Sequence, residues 1–147
     1  MSDKKIGIPK QERSIQKKQL IITTALEIFA RKGYFNTSSN EIAAQAGVSI
    51  GSFYAYFKDK KQLFLEVMDY YNELITNEIK PSGTLEDDNI EEYLFDLINS
   101  ILQAHKIHPD FHQEIMAMYI ADPDVRELID KQKKIAKNHS LDYLKAG

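Results

Sequence analysis

The chain has 147 residues, is 43% hydrophobic and 28% charged, has no cysteine and carries a net charge of −3. This fits one soluble globular domain, or a small domain joined to a partial second one, and excludes disulfides and thiolate chemistry. No apolar run is long enough to span a bilayer and no signal peptide precedes the helices, so the expectation is a cytoplasmic protein with no membrane partner. The charge is polarised: eleven Lys/Arg stand against six Asp/Glu through Glu66, and eight against sixteen from Val67 onward. A positive front and an acidic rear would steer the front toward phosphates.

No repeat and no sustained alternation of apolar and polar residues suggests a sheet, so the chain reads as all-α, with about seven helices. Met1 to about Gln11 reads as a mobile basic arm, because Gly7 and Pro9 oppose helix. A first helix is expected from about Ser14 to Arg31, with Ile15, Ile22, Ala25, Leu26 and Phe29 as its apolar stripe and Gly33 closing it. Ser38 followed by Glu41 is a capping box, which starts the next helix at Ser39. Ile42 and Ala46 face inward on it, Ala43 and Gly47 are small where helices approach, and Gly47 suits the left-handed end. Val48 plugs the corner and Ser49 caps a second short helix. On that helix Phe53 and Phe57 point to the core, leaving Ile50, Gly51, Ser52, Tyr54 and Tyr56 facing outward. Two short helices joined by a tight turn form a helix-turn-helix, whose second helix enters the major groove of DNA.

Asp59 caps a long fourth helix with Gln62 as its box partner. Leu63, Val67, Tyr70, Tyr71 and Leu74 carry its apolar face until Lys80-Pro81 stops it, giving a rod of about 30 Å that connects two layers. Pro81-Ser82-Gly83 reads as a loop and Glu86-Asp87-Asp88 as an acidic first turn. Helix five is expected from about Asn89 to Lys106 with Tyr93, Leu94, Leu97, Ile98, Ile101 and Leu102 inward. His108-Pro109 breaks the chain before helix six, about Asp110 to Ile120. Asp122-Pro123 restarts it as helix seven, with Val125, Leu128, Ile129 and Ile135 along one face toward Tyr143. The domain division is a basic arm over 1–13, a DNA-binding domain over 14–58 and a helical regulatory domain over 59–147.

Thr37-Ser38, Glu41-Ile42-Ala43, Ala46-Gly47-Val48-Ser49, Gly51-Ser52-Phe53-Tyr54-Ala55-Tyr56-Phe57 and Lys60-Lys61-Gln62-Leu63 together resemble the TetR family of bacterial transcriptional regulators. The resemblance covers roughly Lys17 to Met68; Tyr56 departs from it, standing where the family more often has His. It implies a sequence-specific, ligand-responsive DNA-binding regulator, most often a repressor, acting as a homodimer on a pseudo-palindromic operator. It implies backbone contacts from Thr37, Ser38, Tyr54, Tyr56 and Lys60, and base contacts from Asn40, Ser49, Ile50, Gly51 and Ser52. Chemically, Asn40 can pair with adenine, Ile50 can lie against a thymine methyl, and Gly51 permits close approach. Lys4, Lys5, Lys10, Arg13, Lys17 and Lys18 can add electrostatic affinity.

The family also implies a small-molecule effector enclosed by helices four to seven, where Tyr70, Tyr71, Tyr93, Phe95, Met116, Met118 and Tyr119 can line a pocket or simply pack. It further implies two dimerisation helices that do not follow Gly147, so helices five to seven are expected to expose apolar surface. The alternative is a truncated helical interaction module that pairs with a full-length relative. His105, His108 and His112 are close in sequence, but Pro109 interrupts them and no cysteine assists, so no metal site is assigned. No nucleophile elbow, phosphate loop or dinucleotide fingerprint occurs, so neither an enzyme nor a cofactor is expected.

Overall fold

The structure, a computed structural model, describes residues 10–80 and 89–146. Among the described residues it is all-helical, in the order α1 (Lys10–Lys32), α2 (Ser39–Ala46), α3 (Ile50–Tyr56), α4 (Lys60–Glu78), α5 (Ile90–Ala104), α6 (Pro109–Ala121) and α7 (Pro123–Ala146). The arm through Pro9, the Pro81-Ser82-Gly83 loop and the Glu86-Asp87-Asp88 turn lie outside those residues. No described helix is long and apolar enough to cross a membrane.

α1 begins at Lys10, four residues before the expected Ser14, so Lys10 to Arg13 belong to the helix and not to the arm. The reason is local: Lys, Gln and Arg are strong helix formers, and Glu12 in the first turn favours the dipole. Burial on α1 starts only at Ile21 and continues through Ile22, Ala25, Leu26, Ile28 and Phe29, while Ile15 is 63% exposed. Ile15 shares the periodicity of the stripe, but a stripe is buried only where another helix covers it. Gly33 then ends the helix at φ 84°, its N–H donating to Phe29 O at 2.9 Å.

α1 packs against α2, α4 and α6, and α6 in turn against α7. On α4 the buried residues are Leu63, Phe64, Val67, Met68, Tyr71 and Ile75; the expected Tyr70 and Leu74 are only half-buried at its edge. An aromatic chain crosses the interior, with ring centroids 5.5 Å apart for Phe29–Phe64, 5.7 Å for Phe64–Phe111 and 5.3 Å for Phe111–Tyr71. One core therefore runs from the first helices into α6 without a break at residue 58.

The second half departs further from expectation. α5 buries only Ala104; Leu94, Ile98 and Leu102, expected inward, are exposed. Asp122 accepts from the N–H groups of Asp124 (2.9 Å) and Val125 (3.2 Å), as an N-cap before Pro123 should. Val125 is buried and Leu128 and Ile129 pack on the core, but Ile135 is 49% exposed, past the reach of α6.

Candidate nucleic-acid interface

The turn between α2 and α3 is held by backbone chemistry that the sequence encodes locally. Ser38 Oγ accepts from Glu41 N–H at 3.1 Å, capping α2. The Glu41 carboxyl is held below the usual range chiefly by the Lys32 ammonium at 2.6 Å, with the Ser38 N–H contributing, so the box is reciprocal. Gly47 takes φ 71°, where a side chain would be strained, and Val48 N–H donates to Ala43 O at 3.0 Å. Ser49 Oγ accepts from Ser52 N–H at 3.0 Å and starts α3. Phe53 and Phe57 are fully buried and anchor α3 to the core.

With the inner face so anchored, α3 presents Ile50, Gly51 and Tyr54 to solvent, and Ser52 and Tyr56 half-exposed. Asn40 and Ser38 are exposed on α2 and its cap. Gly51 is informative. A Cβ there would meet nothing closer than Ser49 Oγ at 3.9 Å, and its backbone is not left-handed. Nothing inside the protein requires a glycine at this place.

Two of the expected backbone contacts are used otherwise. Thr37 is 3% exposed; its hydroxyl donates to Gly33 O at 2.8 Å and its N–H to Tyr34 O at 3.3 Å, so neither group is free for a phosphate. Lys60 folds back: its ammonium donates to Tyr34 O and Thr37 O, both at 2.8 Å, and stands 4.1 Å from the Tyr34 ring centroid. Burial lowers its pKa. Lys60 thus ties α4 to the loop that precedes α2. The same loop is gripped from α6, where Glu114 Oε1 accepts the Tyr34 N–H at 2.5 Å. Tyr34 is therefore held by its carbonyl from α4 and by its N–H from α6.

Free cations lie elsewhere. Lys10, Arg13 and Lys17, spaced three and four apart on α1, line an open cleft of about 420 Å³ with Ser14 and Tyr56. The Tyr56 hydroxyl sits 3.1 Å from Ser14 Oγ, joining α1 to the end of α3. Lys18 is instead paired with Glu66 at 2.8 Å. Lys58, directly after α3, is exposed and forms no ion pair among the described residues. Sequence reasoning passed over Ser14 and Lys58. A contact 42 residues apart leaves no local trace, whereas Lys58 was legible as a cation at the exit of the outward helix.

His105 and His112 do come together, their ring centroids 5.6 Å apart, while His108 lines a different groove beside Asp110 and Glu114. Among the described residues no group of three or more His, Cys, Asp or Glu is placed to hold a metal. What the α2–α3 surface offers is hydroxyls, an amide, an aromatic ring and flanking cations on a short, firmly seated helix. That set can grip phosphates and reach base edges.

Residues 21–67 match the family model for bacterial regulatory proteins of the tetR family. The chain is similar to two uncharacterized HTH-type transcriptional regulators of Bacillus subtilis (strain 168). It is 40% identical to YerO over 79 residues, 54% of this chain and 25% of YerO. With YuxN it is 50% identical over 56 residues, 38% of this chain and 19% of YuxN. The chain thus spans a quarter or less of these curated relatives. Its fold is similar to that of a transcriptional regulator from Aquifex aeolicus VF5, with a TM-score of 0.64 at 24% identity over 83% of this chain and 67% of that one. The matched segment contains α2, α3, their caps and the buried anchors of both, and over that segment the chain is similar to the tetR family of bacterial regulatory proteins.

Proposed function

We propose that this chain is a sequence-specific DNA-binding transcriptional regulator that seats α3 in the major groove and acts as a repressor. Paired copies would meet a pseudo-palindrome with half-sites about one helical turn apart. Asn40, Ser49, Ile50, Gly51 and Ser52 read bases; Ser38, Tyr54 and Tyr56 contact the strands, and Lys58, Lys10, Arg13 and Lys17 supply charge. A small molecule held among α4 to α7 favours the state that releases DNA, as a population shift requires. The double hold on Tyr34 gives such a shift a route to α2, since displacing α6 against α4 must strain one of the two bonds.

The observation that carries the reading is Gly51. Glycine within a helix costs up to about 1 kcal/mol relative to alanine, and no internal neighbour requires it here. A close external surface accounts for it. Gly51→Ala is therefore expected to leave the fold as stable or up to about 1 kcal/mol more stable, while weakening binding to duplexes selected from a random pool. Undiminished DNA binding by this variant would remove α3 from the groove.

A second reading, a helical interaction module, is favoured by the exposed row Leu94, Phe95, Ile98 and Leu102 on α5. Sedimentation of the purified chain with and without DNA separates the two. A monomer without DNA affinity favours the module; a dimer that binds duplex favours the regulator.

A further inference from the structure

α4, α6 and α7 enclose a cavity of about 310 Å³, at the small end of ligand sites. Its floor is apolar: Met68, Ile75 and Ile115 are buried. Tyr71 completes that floor at 1% exposure, and its hydroxyl is buried without a hydrogen-bond partner. A buried hydroxyl in this state is destabilising until an acceptor reaches it. Lys133 lines the cavity as well, its ammonium 5.2 Å from the ring centroid of the adjacent Tyr119, and brings it a positive charge. His105 and His112 also line the cavity, and no carboxylate does so among the described residues. Asn72, Thr76 and Gln132 add neutral amide and hydroxyl groups, so the lining joins an apolar base to a polar rim whose one ammonium faces no carboxylate among the described lining residues.

We propose that this cavity binds a small amphiphile, a short aliphatic chain ending in a carboxylate. The chain lies on Met68, Ile75 and Ile115, and the carboxylate accepts from Tyr71 and is paired by Lys133. A neutral alcohol would satisfy Tyr71 but leave Lys133 uncompensated, and an amine would face a like charge. The assignment deepens the effector reading above and rests on it for the ligand's role, while binding itself stands on the cavity.

Calorimetric titration of the full chain with octanoate, octan-1-ol and octylamine near neutral pH tests it. Octanoate is expected to bind at least about tenfold more tightly than either analogue, the scale of a hydrogen bond to a charged group. Tyr71→Phe should weaken octanoate about tenfold, leave octanol unchanged, and raise the melting temperature of the unliganded protein by deleting the orphan hydroxyl. Lys133→Gln should weaken octanoate alone. Equal or tighter binding of octanol or octylamine, no binding of any probe, or undiminished octanoate binding by Tyr71→Phe overturns the ligand class. Duplex affinity is measured in the same samples. Octanoate that binds without loosening DNA overturns the effector role and leaves the ligand class standing; intact DNA binding without octanoate uptake does the reverse.

Discussion

The α1–α4 half and the α5–α7 half differ most at α5, whose apolar residues are treated in the opposite way from those of α2 to α4. In the first, Ile42, Phe53, Phe57 and Leu63 are almost wholly buried, and each short helix is capped at its start by a side chain. In the second, Leu94, Phe95, Ile98 and Leu102 are 44%, 66%, 57% and 58% exposed although their helix is as clearly amphipathic. Periodicity states that a face prefers burial; it does not state which surface covers it. A seven-residue helix such as α3 cannot hold itself, so its anchoring must be complete within the chain. α5 faces no such demand, and its apolar row is left as surface.

The comparison breaks most sharply under truncation of large side chains. Phe53→Ala is expected to cost about 3–5 kcal/mol, enough to threaten the fold. Leu94→Ala should change stability by no more than about 0.5 kcal/mol, as for an ordinary surface site. Urea denaturation of both variants reads the difference directly. Comparable losses would mean that α5 is covered and that the two halves are alike.

A smaller effect separates the two lysines that flank the α3–α4 corner. Lys60→Met keeps the length of the side chain but takes from the Thr37 carbonyl its ammonium donor and leaves the Tyr34 carbonyl only the Thr37 N–H, at a cost of about 1–3 kcal/mol. Lys58→Ala should leave stability unchanged and reduce the salt dependence of DNA binding by about one counterion. A Lys60→Met protein of unaltered stability whose salt slope falls would return Lys60 to the phosphate set and withdraw Lys58.

These residues also mark how much was legible in the sequence. The caps Ser38, Ser49 and Asp59 were readable because a cap is a local event, settled within three residues of its own helix. The inward Phe53 and outward Tyr54 followed from helical spacing. Lys60 was not readable: its carbonyl partners are 26 and 23 residues away, in a loop whose path depends on how α1 meets α4. Thr37 failed for a related reason, since a hydroxyl beside a helix start serves a phosphate or the chain's own carbonyl equally well. Even the second capping box is offset. Asp59 accepts from Gln62 N–H at 2.7 Å, but Gln62 Oε1 takes the N–H of Lys58 at 2.6 Å, one residue upstream of the expected partner. Gln62 therefore fixes the backbone of Lys58, the very residue proposed to meet the phosphate.

The smallest predicted difference between the halves appears with pH. His112 on α6 is half-buried, and burial first, then the neighbouring His105, holds its pKa below the ordinary 6.5. Around that value the unfolded chain binds more protons than the folded one, so the histidine's contribution to stability is present above about pH 6.5 and is lost as the pH falls. Its slope cannot exceed about 1.4 kcal/mol per pH unit for a single proton. In the first half, Glu41 has a depressed carboxyl pKa held mainly by Lys32, and loses its contribution only at more acidic pH, below its unfolded value. Asp69, raised mainly by burial, acts in the opposite sense as acid is added. Between about pH 7 and 5 the His112→Gln protein should therefore lose less stability than the parent, with Glu41→Gln tracking the parent. Denaturation midpoints across that window decide it: parallel profiles for the parent and His112→Gln would show that α6 holds this ring no more tightly than solvent does, and that the second half is open there as it is along α5.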